Sequence, residues 1–153
     1  MRRAASLLAL AGGAVLIAAA LLTCVSVLLR WLTSQPVTGD FELVSIGSGL
    51  AVLGFLAWGT HRGSNILVDS FTTWLPARVT GAMDAAWSLL WAAATLVIAE
   101  RMAQGALDTL RNGTRTIGLL ALPYWWAVAI GALCFALTGL AALLAVPRLL
   151  KAP

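Results

Sequence analysis

The chain has 153 residues, 61% of them hydrophobic and only 10% charged, with a formal net charge of +4. A soluble domain carries about 25% charged residues, so this chain cannot cover a water-facing surface and reads as a single-domain integral membrane protein. Its basic residues lie between apolar runs, where they orient a membrane protein, so the positive balance speaks for lipids and against nucleic acid as a partner.

Met1-Arg2-Arg3 precedes an uncharged run over 4–29. A signal-peptide core is ~7–15 residues, so this longer run reads as an uncleaved first span. Arg30 and Trp31 close it with a snorkelling cation and an interfacial indole. Leu21-Leu22-Thr23-Cys24 faintly resembles a lipoprotein cleavage box, but Thr is a poor residue before the cysteine and the apolar run continues. Cys24 and Cys134 both read as small buried hydrophobes.

Residues 33–39 (TSQPVTG) form a loop by their Pro and Gly. Asp40 and Glu42 open the second span, which runs to Thr60 and ends in the polar knot His61-Arg62-Gly63-Ser64-Asn65. In 66–75, Leu67, Phe71, Trp74 and Leu75 make one apolar face at helical spacing, with Asp69, Ser70, Thr72 and Thr73 mostly off it. The expectation is a short amphipathic helix in the headgroup plane, capped by Asp69 or Ser70. A short loop with anchoring aromatics is the alternative. Arg62 and Asp69 are expected to pair or hydrogen-bond there and fix the segment.

Pro76 suits the first turn of a new helix. The third uncharged run, 85–99, is shorter than the ~17 residues a crossing usually needs. The reading is still a crossing, extended at both ends to 80–101, with a re-entrant hairpin as the alternative. A polar connector follows, with Asn112-Gly113 as its turn, and its first half can continue the third helix. The fourth span is expected over 117–146, with Pro123 in its first turns and Tyr124, Trp125 and Trp126 as an aromatic belt. The fold class is therefore all-α, with four transmembrane helices over about 5–29, 42–60, 80–101 and 117–146, and an interfacial helix over 66–75.

Four crossings put both termini on one side. That side would hold six basic residues (Arg2, Arg3, Arg62, Arg78, Arg148, Lys151) and the other four (Arg30, Arg101, Arg111, Arg115). The excess places the termini in the cytoplasm.

Reactive chemistry is missing from the spans. All six carboxylates (Asp40, Glu42, Asp69, Asp84, Glu100, Asp108) lie at or beyond span ends. An ion-coupled carrier normally has ionisable groups near the bilayer centre. His61 is the single histidine, which disfavours a di-haem cytochrome, and no catalytic, metal-ligand or cofactor-binding spacing appears. Small residues recur instead. Gly47, Ala51 and Gly54 make a stripe in span two, beside a second pair, Ser45 and Gly49. Ala127 and Gly131 start a line continued by Cys134 and Thr138 in span four, and Ala9 and Gly13 make a pair in span one. Such stripes let helix backbones approach closely.

Several of these residues also carry a family resemblance. Gly39, Glu42 and Leu43 at the start of span two, then Arg62, Gly63, Ile66, Val68 and Asp69, then Leu75 and Pro76, resemble the DctQ-like small membrane subunit of tripartite ATP-independent periplasmic (TRAP) transporters. Thr116, Leu122, Pro123 and Trp125 are similar too. The family often has His where this chain has Asn65. The resemblance implies a bacterial inner-membrane subunit that pairs with a large sodium-coupled permease subunit and a periplasmic solute-binding protein. Together they would take up organic acids such as C4-dicarboxylates. The small subunit would steady the fixed part of the carrier. The competing reading is an autonomous four-helix carrier or membrane-anchored enzyme, whose reactive group would be sought among Glu42, Arg62, Asp69 and Glu100-Arg101.

Overall fold

The computed structural model describes residues 2–62 and 76–149. They form four helices: α1 (Arg2–Thr33), α2 (Asp40–Arg62), α3 (Ala77–Arg111) and α4 (Trp125–Leu149). Each contains a stretch long and apolar enough to cross a membrane. The segment expected as an interfacial helix, 66–75, lies outside the described residues.

α3 is one continuous helix of 35 residues, not a re-entrant hairpin. At ~1.5 Å per residue it is longer than the ~30 Å hydrocarbon layer. Its surplus lies at the polar C-terminal end, where Gln104 Nε2 donates to Glu100 Oε1 (3.2 Å) and Arg101 Nη1 donates to Gln104 Oε1 (3.3 Å). Pro76 stands just before the helix with extended ψ (142°), and its carbonyl accepts from Val79 N (2.8 Å) and Thr80 N (3.2 Å). Its missing N–H costs nothing there. The helix stops at Asn112, whose N–H bonds back to the Asp108 carbonyl (2.9 Å), and Gly113 follows with φ +61°. A left-handed glycine is what turns the chain away from a helix end.

The helices pack as an open row in the order α1, α2, α4, α3. α1 packs on α2, α2 also packs on α4, and α4 packs on α3. Between helices in lipid there is no hydrophobic drive, so close packing carries the association. That explains where the small residues lie. In the α1–α2 seam a Cβ on Gly54 would stand 2.8 Å from the Leu8 carbonyl oxygen. Gly12 meets the backbone of Ala51, and Gly47 meets Val15 and Ala19. The seam's partner on α1 is Gly12, one residue from the expected pair: Gly13 has nothing within 4 Å. The second small pair of α2, Ser45 and Gly49, is exposed.

In the α3–α4 seam, Gly81 approaches the Leu149 carbonyl, Gly139 meets Leu96 and Thr95, and Gly131 meets Met102. Ser88 Oγ crosses the seam to donate to the Ala142 carbonyl (3.0 Å). Gly131 also touches Leu53 of α2, which makes it the residue where three helices meet. Ala127, Gly131, Cys134 and Thr138 are all buried along this line of α4. The buried hydroxyls of Thr95 and Thr138 turn back to their own helices, on Trp91 O and Cys134 O (both 2.8 Å).

Candidate functional site

The least ordinary chemistry lies at the end of the molecule where α2 and α4 begin. Here α1 turns into α2 through a polar clip. Ser26, buried near the end of α1, donates its hydroxyl to Asp40 Oδ2 and accepts from Val37 N (3.3 Å). Asp40 Oδ1 accepts from Phe41 N (2.7 Å). An acid in the first turn of α2 suits the positive end of the helix dipole. Asp40 is therefore fully engaged within the chain.

Glu42, two residues on, is in the opposite position. It is 6% exposed, and neither carboxylate oxygen has a hydrogen-bond partner among the described residues. Its cover is the segment over 114–124, which forms a strap rather than the start of α4. The strap is pinched at its base by an antiparallel bridge between Arg115 and Pro123. Thr116 N donates to Leu122 O (2.9 Å), Leu122 N donates to Thr116 Oγ1 (2.8 Å) and Tyr124 N donates to Thr114 O (3.3 Å). Ala121 adopts φ +46°, unusual for a residue with a Cβ, and its carbonyl accepts from Arg115 Nη1 (3.5 Å).

The strap alternates in direction. Ile117 and Leu119 stand almost fully exposed, while Gly118 and Leu120, themselves partly exposed, lie against Glu42 and Gly39. A Cβ on Gly118 would run into the Glu42 carboxylate, and one on Gly39 (φ +77°) into the Leu120 side chain. Gly39 is required for its left-handed backbone; at Gly118 a Cβ would push aside the end of the flexible Glu42 side chain. A second residue with a buried polar atom that lacks a partner among the described residues, Thr60 (Oγ1), lies 18 residues after Glu42. At ~3.6 residues per turn that is five turns, so both sit on one line of α2. Leu53, which touches Gly131 of α4, lies on the same line.

Of the other residues singled out in the sequence, Arg62 is the last residue of α2, with its side chain outside the described residues. Gly63 and Asp69 lie outside them altogether. Pro123 forms the strap's bridge instead of sitting inside α4, which starts at Trp125. Gly47, Ala51 and Gly54 line the α1–α2 seam, and Ala127 and Gly131 the buried line of α4. Among the described residues no group of three or more His, Cys, Asp or Glu is arranged to hold a metal.

The family model described as the DctQ component of tripartite ATP-independent periplasmic transporters matches residues 19–152, nearly the whole chain. The chain belongs to the DctQ family. No curated protein and no solved structure matches it. As a DctQ chain it is the small membrane subunit of a TRAP transporter, a multi-pass membrane protein and not an enzyme. DctQ proteins work in complexes with a large permease and a solute-binding protein. The family match takes in α2, α3, α4 and the strap.

Sequence reasoning named Glu42 but did not see its burial. The apolar string Ile117-Gly118-Leu119-Leu120-Ala121-Leu122 merges with span four on composition alone. Pro123 was the available signal: a proline is poorly placed inside a helix but well placed just before one. The Ser26–Asp40 clip left a fainter trace, a serine three residues before the end of the uncharged run over 4–29.

Proposed function

We propose that this DctQ chain is the scaffold subunit of a TRAP-type secondary transporter of the bacterial inner membrane. It pairs with a large sodium-coupled permease subunit and works with a periplasmic solute-binding protein in the uptake of organic acids, C4-dicarboxylates among them. Its termini lie in the cytoplasm, which puts the strap and Glu42 on the periplasmic side.

One observation carries the scaffold role. The uncharged cores of the four helices lie between charged residues and contain none, 85–99 of α3 standing between Asp84 and Glu100. Most hydroxyls within them are used internally, the buried Thr60 Oγ1 at the end of α2 being an exception. Thr23, Ser48, Thr95 and Thr138 donate to carbonyls of their own helices, and Ser88 donates across to α4. Among the described residues no charged group at mid-span is left to strip water from an ion or a solute. The open row supports the same reading. It leaves broad apolar faces that lipid or a companion must cover, whereas a closed bundle would bury most of them.

Co-expression with the large permease subunit tests the reading. The two chains are expected to purify together, and deletion of the small subunit to abolish uptake of one solute class. Purification of a partner-free oligomer that transports unaided would refute it. Orientation is tested by reporter fusions at Gly113 and Pro153. A periplasmic signal at the first and a cytoplasmic one at the second are expected; a cytoplasmic signal at Gly113 would reverse the assignment.

A further inference from the structure

We propose that Glu42 is the docking point for a basic side chain of the companion membrane subunit, and that the strap over 114–124 is the cover displaced when that subunit arrives. This rests on the scaffold reading above.

The first support is the carboxylate itself. Burying an acid with no hydrogen-bond donor is strongly unfavourable, and the remedy in a native assembly is a partner. Among the described residues no donor reaches it. Asp40 holds the Ser26 hydroxyl and the Phe41 N–H, and Arg115 Nη1 turns to the strap's own Ala121 carbonyl. Among the described residues Glu42 belongs to no group of three or more His, Cys, Asp or Glu that could hold a metal. The missing group is a donor, and a guanidinium or ammonium makes the strongest one for a carboxylate.

The second support is the nature of the cover. Against the Glu42 carboxylate it places Gly118, which has no side chain to move aside. Leu120 anchors the strap in the nook above Gly39 by apolar contact. The hydrogen bonds that hold the strap lie at its base and at the Ala121 carbonyl, so the tip can lift while the base stays closed. The tip also presents Ile117 and Leu119 outward, both exposed large apolar residues. An occluded charge pair ringed by apolar contacts is how interface hot spots are built.

The test uses the co-expressed complex and the small subunit alone. In Glu42→Met the unpaired acid is gone, so the isolated subunit is expected to melt at a higher temperature than wild type. The same substitution is expected to cut recovery of the large subunit at least about tenfold, because it strands a buried cation there. Opposite signs in the two samples are the signature. Glu42→Arg should abolish pairing, and an acid at one basic residue of the large subunit should restore it. Loosening the cover with Leu120→Ala, or with Gly118→Ala as a second variant, should leave recovery unchanged or raised.

Complex recovery unaffected by Glu42→Met would overturn the proposal while leaving the scaffold reading intact. So would a less stable isolated subunit, which would place the donor within this chain. Stabilisation of the wild-type subunit, but not Glu42→Met, by phosphatidylethanolamine relative to phosphatidylcholine vesicles would assign the acid to a lipid amine instead. A fall in recovery for both cover variants would overturn the strap's role. Failure of the wild-type chain to recover any large subunit would instead remove the scaffold reading beneath the proposal.

Discussion

The α3–α4 seam and the strap-covered start of α2 solve the same problem differently. Both bury polar side chains beside small residues. In the seam, Thr95, Thr138 and Ser88 each find a backbone carbonyl, and Gly131 and Gly139 let the helices close around them. Under the strap, Gly118 allows an equally close approach, but Glu42 finds nothing to bond among the described residues. A seam satisfied from within belongs to the fold of the single chain. A buried group left unsatisfied marks the place where the chain is incomplete by itself.

The contrast can be broken most forcefully at the α1–α2 seam. Gly54→Val would drive a branched side chain into the Leu8 backbone carbonyl, 2.8 Å from the Cβ position, and backbone cannot step aside as a side chain can. A loss of about 3 kcal/mol is expected, at the upper end for overpacking, seen as a large drop in the melting midpoint in detergent. Gly139→Ala meets the flexible Leu96 side chain instead and should cost visibly less; equal losses would remove the distinction.

The polar clip comes next. Ser26→Ala leaves Asp40 Oδ2 and Val37 N without their partner, and about 2 kcal/mol is expected for a hydrogen bond to a charged group. Asp40→Asn, which can still accept from Ser26, should lose less. Equal stability of Ser26→Ala and wild type would show that the clip contributes nothing.

Ser88→Ala removes the bond across the α3–α4 seam, and a loss near 0.6 kcal/mol is expected, the average for such bonds within membranes. Smallest of all, Gly13→Ala and Gly49→Ala enter open space and should be neutral or stabilising by a few tenths up to about 1 kcal/mol, from helix propensity alone. A marked loss at either would mean that the residue is packed where the structure leaves it open.

Much of this architecture was legible in the sequence, because length and apolarity alone specify spanning helices. The α2 stripe of Gly47, Ala51 and Gly54 was also legible, since small residues at helical spacing have one obvious use. The matching face of α1 was not. That helix is apolar all round, so no polar side fixes its rotation, and Gly12 and Gly13 differ only by the ~100° between consecutive residues. The strap was hidden for a related reason: residues 117–122 are as apolar as a span, and what separates them from α4 is a tertiary contact, Gly118 on Glu42 and Leu120 over Gly39. The state of Glu42 depends wholly on that contact. The acid itself stood out in the sequence; its isolation did not.

The most direct test of the central claim is transport by purified subunits in sealed vesicles. With an inward sodium gradient, a C4-dicarboxylate outside and the solute-binding protein present, the small subunit alone should give no uptake above empty vesicles, and adding the large subunit should start it. Gradient-driven uptake by the small subunit alone would contradict the account.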